Sequence, residues 1–156
     1  MNAPRIGILN EEDRPALVRM LEDTSELDLR AIDQYRILRI PTDVTHVAWV
    51  NGAVVGMLNA SYVADFSGMR SFESFDLPLP PHAFLDRIHV HPVWRRAEVG
   101  GALLGAFVQK AKGRACTFAG GHIDATSDPT VRVKFFETFG FEVRGDRASS
   151  TAGLLL

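Results

Sequence analysis

Apolar residues in this chain recur first at helical spacing, then in strand-like runs, then at helical spacing again. Arg5 to Leu9 is a short apolar run that predicts a first strand. Asn10 follows as a candidate N-cap, with Glu11, Glu12 and Asp13 complementing the dipole of a helix that carries Ala16, Leu17, Met20 and Leu21 on one side. A second helix, about Leu27 to Leu38, places Leu29, Ile32, Tyr35 and Ile37 or Leu38 on its buried side, and Pro41 and Thr42–Asp43 end it. Then the period changes. His46 to Val50 and Ala53 to Val63 are strand-like and are joined at Asn51–Gly52, a strong hairpin signal. His82 to Val90 reads as a further strand and Ala97 to about Arg114 as a long helix. Gly120–Gly121 is expected to break the chain before a short strand at His122 to Ala125. Asp128–Pro129 opens another helix in N-cap, N1 order. Val131, Phe135, Phe136 and Phe139 form its expected buried face, and Gly140 its stop. Phe141 to Arg144 and Gly153 to Leu156 close the series as strands. The order β-α-α-β-β-β-α-β-α-β-β predicts an α/β (α+β) fold, a single domain over residues 1–156.

The segment Asp65 to Pro81 (DFSGMRSFESFDLPLPP) has no such period. A connection this long is either functional or a solvated connector with hydrophobic anchors, and the residues alone leave both open. At 156 residues, 46% hydrophobic and 23% charged, the chain can bury a core without disulfides or metal. A net charge of −2 gives no footprint for nucleic-acid binding. The single cysteine, Cys116, excludes an intrachain disulfide and reads as a small buried hydrophobe. The N-terminus lacks a secretory pattern and no apolar run approaches the ~18 residues of a membrane span, so a soluble, cytoplasmic protein with no membrane partner is expected.

The most informative stretch is Phe84 to Leu104, FLDRIHVHPVWRRAEVGGALL. It reads as a strand, a turn carrying Arg95 and Arg96, and a helix start with Gly100 and Gly101. Unpaired N–H groups and a positive dipole end make such a helix start a natural phosphate site, and the glycines let a ligand approach the backbone. Side chains alternate along the strand. Asp86 shares a face with Phe84, Ile88 and Val90, while Arg87, His89 and His91 take the other.

These motifs resemble those of the GNAT superfamily, the acetyl-CoA-dependent N-acetyltransferases, most strongly over Phe84 to Phe141. The family's Arg/Gln-x-x-Gly-x-Gly/Ala falls on Arg95-Arg96-Ala97-Glu98-Val99-Gly100, followed by Gly101-Ala102-Leu103-Leu104. Phe135-Phe136-Glu137-Thr138-Phe139-Gly140-Phe141 resembles its Phe-Tyr-Glu-x-x-Gly-Phe, and Leu85 to Val90 its preceding strand. The resemblance implies a mixed, mostly antiparallel sheet flanked by helices, and acetyl-CoA as co-substrate. It implies contacts to that molecule from the backbone of Ile88, His89 and Val90, from Arg95, Arg96, Ala97, Val99, Gly100, Gly101 and Ala102, and from Asp128 and Phe135 downstream. It also implies transfer to the primary amine of a small-molecule or protein acceptor, and makes a homodimer an option.

Two residues depart from the pattern. Glu98 stands at the signature's first glycine, where a carboxylate facing phosphate would cost about 4 kcal/mol at 4 Å and a dielectric near 20. Pointed at water, it is harmless. Phe136 stands where many relatives carry a tyrosine that protonates the leaving thiolate, and it has no proton to give. Asp86, four residues before Val90, is the candidate catalytic residue, as an ammonium anchor or a base acting through water; a structural ion pair with an arginine is its alternative. His89 is a weaker candidate base on the other face. No metal site is expected, because nothing completes His89-x-His91. Beside the enzyme reading stands a non-catalytic protein of the same fold that binds acyl-CoA or a protein partner. A dinucleotide-binding oxidoreductase lacks its Gly-x-Gly-x-x-Gly.

Overall fold

The computed structural model describes residues 2–24, 30, 32–33, 43–95, 98–124, 129–146 and 149–156. The predicted second helix lies largely outside them, apart from Arg30, Ile32 and Asp33. Strand β1 (Arg5–Ile8) precedes helix α1 (Arg14–Asp23), and strands β2 (Asp43–Val50), β3 (Ala53–Ala64) and β4 (His82–Val90) follow. Helix α2 (Val99–Gly113), β5 (Phe118–Ile123), α3 (Pro129–Thr138), β6 (Glu142–Asp146) and β7 (Ser149–Leu155) complete the order. The seven strands form one sheet in the order β1-β2-β3-β4-β5-β7-β6. Antiparallel pairs run from Arg5↔Trp49 to Ile8↔His46, from Phe118↔Leu155 to Ile123↔Ser150, and from Glu142↔Gly153 to Asp146↔Ser149. The β4–β5 pair is parallel, from His82↔Phe118 to Leu85↔Gly121. This is the mixed, mostly antiparallel sheet expected from the sequence. By compactness the chain divides into two units, residues 1–60 with 87–107 and residues 61–86 with 108–156.

In the first unit the β2–β3 hairpin turns at Asn51 (φ 50°) and Gly52 (φ 80°), the left-handed pair that a two-residue turn needs to match strand twist. Helix α1 lays Leu17, Val18, Met20 and Leu21 against Ile32 and Met57. It begins at Arg14, later than Asn10 suggested. The Asn10 Oδ1 accepts the Asp13 N–H at 2.8 Å and closes a separate turn, leaving Asp13 as the N-cap and Pro15 in the first helical turn.

The second unit is organised by phenylalanines from the irregular segment. Phe66, Phe72 and Phe75 are buried with Phe118 of β5, Phe66 and Phe72 stacking with centroids 4.3 Å apart. His82 holds both ends of the segment, its Nδ1 accepting the Phe66 N–H and its Nε2 bonding the Pro78 carbonyl, each at 2.9 Å. That segment is therefore an anchored part of the core. Asp65 opens it, and hydrogen bonds from the Ser67 hydroxyl and amide hold its carboxyl below the usual range.

Gly120 and Gly121 do not break the chain; both lie inside β5. They are glycines because neighbours occupy the space of a side chain. A Cβ on Gly121 would sit 2.7 Å from the Leu85 carbonyl oxygen, and one on Gly120 2.8 Å from that of Ala152. Helix α3 also differs from expectation. Phe136 is buried, but Val131 is 69% exposed and Phe139 42%. The helix ends as predicted at Gly140 (φ 86°). The Phe141 N–H bonds the Phe136 carbonyl, the Gly140 N–H bonds that of Glu137, and the Phe136 and Phe141 rings meet at 5.5 Å. Those paired bonds and that apolar contact make a Schellman stop. The last strand starts at Ser149, four residues before its predicted start, because it pairs with both β5 and β6.

Helix α2 ends in the same motif with a less suitable residue. Cys116 N–H bonds the Ala111 carbonyl and Ala115 N–H that of Lys112, with Ala115 at φ 57°. An alanine in that conformation costs about 1 kcal/mol relative to glycine. Ala115→Gly should therefore raise stability by roughly 1 kcal/mol, read as a higher urea midpoint at unchanged slope. Gly121→Ala should lower it by about 1–3 kcal/mol, since the obstructing atom is backbone and cannot step aside.

Candidate functional site

Strand β4 enters the first unit at Arg87 and delivers its end, Val90, to a sharp turn. The His91 N–H bonds the Val55 carbonyl of β3 at 2.9 Å, which fixes where the strand stops. Pro92–Trp94 then form one 3₁₀ turn, closed by Trp94 N–H to the His91 carbonyl at 2.8 Å. His91 Nδ1 accepts the Val93 N–H at 3.3 Å. Arg95 reaches back, its Nε donating to the Val90 carbonyl at 3.0 Å, so its guanidinium ties the turn to the strand end.

Helix α2 starts at once. The Ala102 N–H makes the bond to the Glu98 carbonyl at 2.9 Å, so the amides of Val99, Gly100 and Gly101 precede the first intrahelical bond. Val99 is fully buried, whereas Gly100, Gly101 and Ala102 are half-buried and carry little or no side chain. A positive dipole end with small residues around it can seat a phosphate group. Gly56 of β3 positions this helix, because a Cβ there would lie 3.1 Å from Val99 Cγ1 and 3.2 Å from both Leu103 Cδ1 and the His89 carbonyl oxygen.

Glu98 has φ 64°, the left-handed conformation in which an L side chain is strained, and it is exposed. The backbone thus keeps the turn for which a glycine would be the natural residue, and the carboxylate is turned to solvent.

The turn, the Arg95 tie and the small-residue helix start agree with one family. The profile of the acetyltransferase (GNAT) family matches residues 8–141. The chain belongs to that family. No curated protein matches it in sequence. Among solved GNAT structures it is similar in fold to the aminoglycoside acetyltransferase AAC(6')-Iy in complex with a bisubstrate analog (TM-score 0.71, 20% identity, covering 90% of this chain and 92% of that one). The PaiA N-acetyltransferase of Thermoplasma acidophilum, in complex with coenzyme A, gives 0.70 at 14% identity over 99% and 100%. The ribosomal-protein-S18-alanine N-acetyltransferase of Escherichia coli gives 0.68 at 14% identity over 97% and 91%.

Of the residues singled out in the sequence of this GNAT chain, Ile88, His89, Val90, Arg95, Val99, Gly100, Gly101 and Ala102 come together in the first unit. Arg96, Ala97 and Asp128 lie outside the described residues. Asp86 is exposed on β4 and makes no ion pair among the described residues. The His89 side chain is buried, its Nε2 3.1 Å from the Thr24 hydroxyl at the end of α1, which removes it as a surface base. In the second unit Phe135 is half-buried and packs on Phe136 and Phe139 at 5.4 and 5.1 Å. Cys116, whose thiol burial pushes up, donates to the Tyr62 carbonyl at 3.4 Å. Burial, and then the neighbouring Cys116, push the Tyr62 hydroxyl up as well, so it stays protonated at neutral pH.

Sequence reasoning missed Gly56 and Thr24. Gly56 sits in an unbroken strand with no turn signal, and Thr24 is 65 residues from His89. No helix among the described residues is long and apolar enough to cross a membrane.

Glu98→Gly should stabilise the protein by about 1 kcal/mol, because glycine adopts this φ without a Cβ penalty. Paired urea titrations of wild type and variant would show it; an unchanged or lower midpoint would mean that Glu98 makes a compensating contact.

Proposed function

We propose that this protein transfers the acetyl group of acetyl-CoA to the primary amine of an acceptor. The observation that carries the reading is Glu98, which keeps the left-handed turn of the signature while its carboxylate faces solvent. The repulsion that a glutamate at this position threatened is therefore screened by water. The amides of Val99, Gly100 and Gly101 fit a pyrophosphate, with Arg95 beside them and the backbone of Ile88, His89 and Val90 along the thioester arm. Arg96, Ala97, Ala102, Asp128 and Phe135 complete the contacts that the family pattern suggests.

Acetyl-CoA supplies an activated acyl group; in the net reaction an N–C bond forms, the thioester C–S bond breaks and the amine gives up a proton. The protein's part is to hold the two reactants together and to take that proton. Asp86, exposed and without an ion pair among the described residues, is the candidate to anchor the ammonium or to accept its proton through water. Phe136 is packed against Phe141 and has no hydroxyl, so the thiolate is protonated by solvent. The coenzyme A named with the PaiA structure, and the acceptors named with the other relatives, an aminoglycoside and a ribosomal protein, agree with amine acetylation as the class.

Calorimetric titration with acetyl-CoA should give low-micromolar binding by the wild type and by Glu98→Gly alike. Thiol release with a panel of amines should then detect turnover. Asp86→Asn should lower kcat/KM by roughly a hundredfold at unchanged acetyl-CoA affinity. Absence of acetyl-CoA binding by the wild type would overturn the proposal. Tight binding with no thiol release from any amine would favour the non-catalytic acyl-CoA-binding alternative, to which Phe136 also points.

A further inference from the structure

In the second unit, the sheet face that carries Phe84 and Asp86 also holds a histidine–serine pair. His122 of β5 is exposed, and its Nε2 lies 2.9 Å from the Ser71 hydroxyl oxygen. Ser71 belongs to a 3₁₀ turn, Arg70–Phe72, and its carbonyl accepts from the Thr151 hydroxyl at 3.2 Å. Thr151 stands opposite His122 in the β5–β7 register, so both members of the pair are tied to the sheet. The Phe72 and Phe84 rings flank the imidazole, with centroids 5.4 and 5.8 Å away. Its Nδ1 has no hydrogen-bond partner among the described residues.

Register puts Asp86 next to this pair. Strands β4 and β5 run parallel, and their last paired residues are Leu85 and Gly121. The next residue on each strand is Asp86 and His122. They share one face, because Phe84 pairs with Gly120 two positions earlier. A carboxylate and an imidazole at the end of one ladder suit an ammonium substrate: the first attracts the charge, and the second can remove the proton.

We propose that His122 Nδ1 accepts the proton of the acceptor amine, that Ser71 fixes the ring tautomer by accepting from Nε2–H, and that Asp86 holds the ammonium. The inference rests on the acetyltransferase reading above and divides between two residues the roles that Asp86 there carries alone. As the N–C bond forms, the N–H bond breaks toward Nδ1 and the ring becomes imidazolium. Its hydrogen bond to Ser71 then strengthens, because the donor is charged. The C–S bond breaks, the thiolate takes a proton from solvent, and the exposed ring returns its own to solvent.

Several charges surround the ring. Asp86 comes from β4, and Asp124 lies two residues on along β5, its carbonyl bonded by Arg132 of α3. Arg70 and Glu73 bracket the 3₁₀ turn, and Arg144 of β6 stands opposite Thr151, paired with Glu142 at 2.8 Å. His82, on the Asp86 face of β4, is held at both nitrogens by Phe66 and Pro78. The carboxylates favour the charged ring and the guanidiniums oppose it, so the test compares variants in the same surroundings.

The test follows kcat for a saturating primary amine by thiol release from pH 5 to 9, a window in which imidazole titrates. Wild type should lose rate on the acid side. His122→Gln should lower kcat by about a hundredfold and remove that acid limb, with acetyl-CoA affinity and Tm near those of wild type. Free imidazole should restore part of the rate to His122→Ala. Asp86→Asn should raise KM for the amine and keep the limb. Ser71→Ala should also keep it but move it to lower pH, because the charged ring loses its acceptor.

A limb that persists in His122→Gln, or full activity of that variant, overturns the proposal. So does a limb that moves to higher pH in Ser71→Ala, since Ser71 would then be the donor. Failure of acetyl-CoA to bind, or binding without thiol release from any amine, sinks the transferase reading and this proposal with it. Turnover that does not depend on His122 sinks this proposal alone.

Discussion

The first unit depends on a missing side chain. At Gly56, β3 offers no Cβ, and the space is taken by Val99 and Leu103 of α2 and by the carbonyl of His89. That close approach brings the start of α2 up to the strands. A methyl group there would meet all three neighbours at 3.1–3.2 Å, tighter than ordinary contact, so any larger residue would have to move the helix. Because Val99 is both the first helical residue and one of the three contacts, displacement there would move the start of the helix with it. Packing and the geometry of the helix start are thus set by one position.

Helix α2 is bounded at both ends by non-glycine residues in the left-handed region, Glu98 before it and Ala115 after it. The two have different consequences. Ala115 completes a Schellman stop and only weakens it. Glu98 lies in the turn itself, where the strain is offset by the backbone bond from Ala102 and by the seating of Val99. The turn is imposed by its surroundings rather than by its own residues. This is why the signature can lose its glycine and keep its shape.

The element order was legible because most of it rests on local chemistry: the Asn51–Gly52 turn, the Gly140 stop, and the shift from helical to strand period. What was not legible rests on contacts between distant residues. Gly120 and Gly121 look like a break in sequence, yet they are needed inside β5, where Leu85 and Ala152 crowd them. Val131 and Phe139 fit an apolar helix face by spacing, but only Phe136 is buried, through Phe141. Of the candidate site, the turn and the helix start were readable from their motif. The surface orientation of Glu98 and the burial of His89 on Thr24 required coordinates.

Arg87 marks the limit of motif reading. In sequence it is one of several arginines near the signature, and Arg95 and Arg96 occupy the motif. The structure separates their roles by what each guanidinium touches. Arg95 bonds the Val90 carbonyl and so stabilises the turn it stands in. Arg87 carries a buried Nη1 that has no hydrogen-bond partner among the described residues. A fold of this size has only a modest stability margin, and keeping an unsatisfied buried donor consumes part of it.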